Sequence, residues 1–265
     1  MITSAFYHCR GIGRRRLELL EATGIRSWHD VVNAPDQVPP TLRDSLVREC
    51  QEMLEALEQD AIETFVRRFD TRDKWRILHH YLDRTTFFDI ETTGLNIDDT
   101  ITVIVCWHRD RFYSFVEHEN LDDFLDLLED VELLASFNGS MFDVPRVLST
   151  FHISELPCPH LDLRWIARQQ NLTGGLKRIT QRLGITRPPD LTDVDGAQAV
   201  QWWWSWRLSG DEKARADLIR YCAADVALLL PLAEHVTGRR HWELEELWRQ
   251  LPPDSPIPAD RSRLL

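Results

Sequence analysis

Long apolar runs are missing from this chain: no window approaches the roughly 18 consecutive apolar residues that a membrane helix needs. The opening stretch MITSAFYHCRGIGRRR also lacks the apolar centre of a signal peptide, so neither export nor membrane insertion is expected and the chain reads as cytoplasmic. Cysteine is sparse. Cys9, Cys50, Cys106, Cys158 and Cys222 are scattered and odd in number, with no C-x-x-C pair, which argues against a disulfide framework or a zinc site. They read as small buried hydrophobes. Lysine is scarcer still: of 31 basic residues only Lys74, Lys177 and Lys213 are lysines, a bias that genome composition or salt adaptation would each produce. Internal repeats are absent. The formal net charge of -12 on its own argues against a nucleic-acid binder. Distribution matters more than the sum, because residues 1–28 carry Arg10, Arg14, Arg15, Arg16 and Arg26 against only Glu18 and Glu21.

What is present is an ordinary globular composition, 43% hydrophobic and 28% charged over 265 residues, long enough for one large domain plus a small module. The chain is organised around Thr85–Asn96, TTFFDIETTGLN. Its apolar run ending in Phe87-Phe88 predicts a buried strand. Strand side chains alternate, so Asp89 and Glu91 leave on one face and Phe88 and Ile90 on the other. Two like charges on a core strand are costly unless a cation lies between them, and hard oxygen ligands suit Mg²⁺ or Mn²⁺. A strand end with two solvated acids is the alternative, and Asp-x-Glu alone does not decide between them.

Ahead of that strand, residues 1–80 read as helical. Gly11-Ile12-Gly13 leads into an amphipathic helix over Arg14–Ala22, closed by Thr23-Gly24-Ile25. A second helix is expected after Ser27-Trp28 and a longer one after Pro39-Pro40-Thr41, with Leu46, Cys50, Leu54, Leu57 and Ile62 on its apolar stripe. Near Tyr81–Arg84 the pattern changes from helical to strand period, which marks a junction. TVIVCWH (102–108) and FYSFV (112–116), joined by a short polar turn, complete an antiparallel three-strand meander. Asn120 is the expected N-cap of the next helix, and Val131–Phe137 the next buried strand. Beyond it the chain reads as helical, apart from a small strand near Pro157–Asp162. Trp202, Trp203, Trp204 and Trp206 crowd one helix and read as core rather than as a base-stacking platform. A long helix spans Asp211–Val236, with Pro231 as its kink point. The proline-rich tail from Pro252 reads as extended and loosely held.

Two more acids stand where a metal cluster would need them. Asp143 follows FNGSMF, after the end of a buried strand and in the first turn of a helix. Asp225 comes four residues after Tyr221 in YCAAD, so phenol and carboxylate share one helical face. The ordered motifs FDIETTG, FNGSMFD and YCAAD span Phe88 to Asp225. Together they resemble those of the DEDD exonuclease superfamily, in its Tyr-x-x-x-Asp subset on the ribonuclease H-like fold, and the YprB-like group looks most similar. His118 and Asp123 have the spacing of the superfamily's histidine subset, but they precede the second motif and so do not form the third.

The resemblance implies an α/β fold: a mixed sheet, with an antiparallel three-strand meander plus parallel strands, flanked by helices and preceded by a small all-α module. It implies Asp89, Glu91, Asp143, Tyr221 and Asp225 as catalytic residues, the four carboxylates holding two Mg²⁺ or Mn²⁺ ions. Tyr221 would orient the attacking water, since an ordinary phenol pKa of about 10 makes it a poor base; a core tyrosine is the alternative. Thr92 and Asn138 would position the scissile phosphate or the acids. Asp162 either joins the site or caps the helix beginning at Leu163.

Gly11, Gly13 and Arg14 resemble the hairpin of a helix-hairpin-helix DNA-binding module, whose glycine N–H groups hold a phosphate at a helix N-terminus. Arg10 stands where that family usually has proline, and a plain helical turn is the alternative. Three segments are thus expected: a nucleic-acid-binding module over 1–80, an exonuclease domain over 84–240, and a helix end with its tail over 241–265. The implied function is metal-dependent 3′ to 5′ exonuclease action on DNA or RNA presenting a single-stranded 3′ end. A nucleic-acid-binding protein with a structural, inactive ribonuclease H-like domain is the alternative. An aspartyl phosphatase is set aside, because it needs Asp where this chain has Glu91.

Overall fold

The computed structural model describes residues 1–96 and 99–252; from residue 253 on, the expected extended tail lies outside the described residues. The chain divides into two compact units, one over Met1–Leu82 and one from Asp83 onward.

The first unit is built of α1 (Arg14–Ala22), α2 (Trp28–Asn33), α3 (Arg43–Glu58), α4 (Ile62–Arg68) and α5 (Lys74–Tyr81). Gly11 has a φ of +79°, a left-handed turn that glycine makes without strain, and Gly13 opens α1 with no side-chain cap. Ahead of these glycines the described residues hold a 3-10 turn over Ile2–Ser4. Ser27 starts α2 in a capping box with Asp30. The single long helix expected through Ile62 is two. Asp60 takes a φ of +54° and the Ala61 N–H closes on the Ala56 carbonyl at 2.8 Å, a Schellman-type stop, after which Ile62 opens α4. Trp28, wholly buried, stacks on Phe65 in the core of this unit.

The second unit holds a five-stranded sheet in the order β3-β2-β1-β4-β5. The strands are β1 (Thr85–Thr92), β2 (Ile101–His108), β3 (Arg111–Val116), β4 (Leu133–Ser136) and β5 (His160–Asp162). The first three are antiparallel, and β4 and β5 add parallel to β1, which is the mixed sheet expected. Its helices are α6 (Asp123–Glu129), α7 (Asp143–Thr150), α8 (Leu163–Gln169), α9 (Leu176–Arg182), α10 (Gly196–Ser209), α11 (Glu212–Thr237) and α12 (Leu244–Arg249). Every residue of β2 is buried, as happens when both faces of a sheet are covered. On one face Phe88, Ile90, Ile104 and Cys106 pack with Phe124, Leu127 and Leu128 of α6. The opposite face of β1 and β2 lies against α11, and that face carries Asp89 and Glu91.

Two local expectations are corrected. Asn120 caps no helix, because α6 begins at Asp123. Its amide instead accepts from the Val116 N–H at 2.9 Å and donates to the Ser114 carbonyl at 3.1 Å, satisfying backbone groups at the end of β3. Of the four indoles on α10 only Trp203 is core; Trp204 is 46% exposed and Trp202 and Trp206 are half-buried. Four bulky residues within five positions point around the whole helix, and one face alone meets the unit's interior. Among the described residues no helix is long and apolar enough to cross a membrane.

Candidate active site

β1 delivers Asp89 and Glu91 to the face beneath α11, and its register against β2 shifts between Glu91 and Thr92, a bulge that re-aims the strand end. Ala223 and Ala224 are fully buried on α11, and their small side chains let that helix come close. As a result the Cys222 thiol donates to the Asp89 carbonyl oxygen at 3.4 Å and lies 3.8 Å from Asp89 Oδ2. Ligand atoms of Asp89, Glu91 and Cys222 all fall within 4.8 Å of one another.

Asp143 arrives from the first turn of α7 and is 2% exposed. The loop before it is tightly specified. Asn138 ends the β4 segment at a φ of +68°, and a Cβ on Gly139 would run into Ser136 Oγ. Asp162 caps α8 through the Arg164 N–H at 3.0 Å and also accepts the N–H groups of Asn138 at 2.8 Å and Ser140 at 3.1 Å. It therefore holds the loop that places Asp143.

The acids share poorly hydrated surroundings. Burial first, then Asp143 and Glu91, hold the Asp89 carboxyl well above the usual carboxylate range. Burial pushes Glu91 up to about 8 despite the pull of Lys177 and Arg187. Asp143 is pushed up to about 7, by burial and then by Asp162. Asp89 and Glu91 keep partial contact with solvent, yet protein walls them closely enough to penalise charge.

Three further residues enter this site that the sequence reading did not place there. Lys177 on α9 donates to the Tyr221 hydroxyl at 2.9 Å and to the Val194 carbonyl at 2.7 Å. Arg187, in the loop after α9, is ion-paired with Asp225 and sits 5.0 Å from the Tyr221 ring centre, its side chain 6% exposed. Burial lowers the pKa of both cations. The third is Cys222, read from sequence as a small buried hydrophobe and indeed fully buried. Lys177 carried a usable signal as one of three lysines; an arginine ahead of Pro188-Pro189 carried none.

Tyr221 and Asp225 share their helical face, but Asp225 is engaged by Arg187. Burial, then Glu91, raises the Tyr221 phenol above its ordinary range, so it stays protonated. Thr92 turns away from the acids, its hydroxyl donating to the Gly94 carbonyl at 2.5 Å. The Asn138 side chain accepts from Arg164. Gly11, Gly13 and Arg14 belong to the first unit, where Arg14 pairs with Glu18 at 3.0 Å.

The donor set fits a hard divalent cation at Asp89 and Glu91. With all four carboxylates ionised, Lys177 and Arg187 leave two negative charges unmatched. Burial and the neighbouring acids hold Cys222 as a neutral thiol, a poor ligand for such an ion and a donor to Asp89 instead. Asp225 is held by Arg187 and stands outside the group formed by Asp89, Glu91 and Cys222.

No curated protein matches this sequence. Among solved structures, the family B DNA polymerase from the hyperthermophilic archaeon Pyrobaculum calidifontis is similar at 18% identity and a TM-score of 0.47, covering 57% of this chain and 24% of that one. The chain thus spans about a quarter of that polymerase, 24% of its length. The family model of the RNase_H superfamily matches residues 86–237, more than half of the 265 residues and a span that holds all four carboxylates. The chain belongs to the RNase_H superfamily.

Proposed function

We propose that this chain is a metal-dependent nuclease that removes nucleotides from a 3′ end of DNA or RNA, with Asp89, Glu91, Asp143 and Asp225 holding two Mg²⁺ or Mn²⁺ ions. One observation carries the reading: β1 and the first turn of α7 bring Asp89, Glu91 and Asp143 together where burial and neighbouring acids push each carboxyl upward, a strain that a hard cation relieves. Divalent ions bound there would lower the pKa of a water and stabilise the leaving oxygen of a phosphodiester. The polarity rests on the three ordered motifs.

The chain's own groups supply the positioning. A protonated Tyr221, its oxygen held by Lys177 at 2.9 Å, serves as a hydrogen-bonding orienter and not as a base. The Asn138–Phe142 loop fixes Asp143 through Asp162. Thr92 keeps the end of β1 in place by its bond to Gly94. In the first unit, the Gly11–Gly13 turn and the start of α1, which lacks a side-chain cap, suit a backbone phosphate.

A second reading, a nucleic-acid binder whose RNase H-like domain is structural, has Arg187 on its side, since Asp225 already has a cation. The deciding experiment is Mg²⁺-dependent cleavage of a 3′-labelled single strand, beside the same strand in a duplex and an RNA copy. Asp89→Ala is expected to abolish cleavage while far-UV circular dichroism and nucleic-acid retention stay near wild type. A wild-type chain that retains the strand without shortening it would favour the second reading.

A further inference from the structure

Apart from the carboxylates, α8 and the loop after it frame an open pocket of about 260 Å³ lined by Arg164, Arg168, Leu172, Thr173 and Gly174. Arg164 and Arg168 are four residues apart and so share one face of α8. Trp165 lies between them, 36% exposed, with the two guanidinium groups 5.7 and 5.8 Å from its ring centre. Arg178 packs over Gly174, and Arg182 reaches the Thr173 carbonyl at 3.5 Å.

None of these four arginines pairs with a carboxylate among the described residues. Arg164 donates to the Asn138 side chain, a neutral acceptor. In a chain with 43 acids to 31 basic residues, a pocket lined by two arginines and no acid, with Arg178 and Arg182 against its Thr173-Gly174 wall, leaves an anion to be supplied from outside. Guanidinium pairs match the geometry of phosphate oxygens. The indole adds a flat surface on which an unpaired base stacks, whereas a base inside a duplex offers no free face.

The pocket is also wired to the carboxylates. Trp165 Nε1 donates to Ser140 Oγ at 3.3 Å, and Arg164 holds Asn138, so both touch the loop that ends in Asp143. We propose that this pocket seats a backbone phosphate of a single-stranded nucleic acid, with a neighbouring base stacked on Trp165, and so selects unpaired strands for the carboxylate site. The assignment rests on the nuclease reading for the identity of the ligand.

The test measures binding of a fluorescein-labelled DNA of about 12 nucleotides, single-stranded or duplex, to the 265-residue chain carrying Asp89→Asn by anisotropy over about 50 to 300 mM salt. Adding Arg164→Gln and Arg168→Gln should weaken single-strand binding at least tenfold and flatten the slope of log affinity against log salt by roughly 0.7 to 1.4. Trp165→Ala should weaken single-strand binding on the order of tenfold with the slope unchanged, leave duplex binding as it was, and be largely rescued by Trp165→Phe. Because these side chains are exposed, the fold is expected to survive, and an unaltered melting temperature checks that. Wild-type slope and affinity in the double-arginine variant, or equal losses on single strand and duplex from Trp165→Ala, would overturn the proposal. The nuclease reading is judged separately, on cleavage by the unmutated chain: binding lost without any wild-type cleavage keeps the pocket and removes the nuclease, and the converse removes only the pocket.

Discussion

Arg187 and Asp225 are buried together, their side chains 6% and 13% exposed, so deleting the guanidinium strands a carboxylate among other acids. Arg187→Gln is expected to melt below wild type in chelator, by an amount on the order of 3 kcal/mol, and to gain more from Mn²⁺ because Asp225 is released to the metal. Asp89→Asn goes the other way. It removes a charge that burial, then Asp143 and Glu91, disfavour, so it should melt above wild type in chelator, by on the order of 1 to 3 kcal/mol, and lose most of the metal-induced shift. Fluorimetric melting at matched ionic strength reads both variants; an Asp89→Asn protein less stable than wild type would mean that Asp89 is paired rather than repelled. The same acids set a pH dependence. Glu91, pushed up to about 8, and Asp143, pushed up to about 7, keep protons in the folded state that the unfolded chain gives up near 4 to 4.5, so their stabilising contribution is full below about pH 4 and drains away as pH rises to about 8. Urea denaturation in chelator should therefore show lower stability at about pH 8 than at about pH 5.5, and a rising profile would contradict the buried cluster. Asp89 and Glu91 were legible as a pair because strand alternation is a local rule. Arg187 and Cys222 were not, since their contacts are made across 38 and 133 positions of sequence.

The loop from Asn138 to Phe142 is the element on which the site turns. Glycine is required at position 139 by lack of space, with Ser136 Oγ where a Cβ would stand and His160 close behind. Gly139→Ala should cost roughly 1 to 3 kcal/mol by overpacking and blunt the Mn²⁺ response as α7 shifts Asp143; unchanged urea midpoints and metal response would show that the loop absorbs the methyl. Elements announced by dense local pattern were readable in advance: the three-strand meander, the alternation in β1, and α11 behind its Asp211 cap. Those decided by a single polar residue were misread. Asp60 halts α3 in a conformation usually associated with glycine, and Asn120 spends its amide on a strand end instead of a helix start. The tryptophans of α10 were read by composition, whereas burial followed the one face that packs.

At the scale of the chain, the switch of pattern near Tyr81–Arg84 lies where the two compact units divide, after Leu82. A fragment starting near Asp83 is expected to fold and to retain Mg²⁺-dependent cleavage, while its binding to long strands becomes weaker and less salt-dependent as phosphate contacts are lost. An insoluble fragment would mean that the helical unit is needed for the second to fold. Whether the first unit binds nucleic acid was not legible in the sequence, because a glycine turn before a helix serves equally as a phosphate nest or as a plain start. The raised carboxyls have one more outcome for the molecule as a whole. Near neutrality it carries protons on Glu91 and Asp143 that an incoming divalent ion has to displace, so each loading should discharge roughly one or two protons into the medium. Titration calorimetry would register that exchange as a heat that changes with the buffer's own ionisation enthalpy, and the protein would compete for magnesium better in an alkaline compartment than in an acidic one.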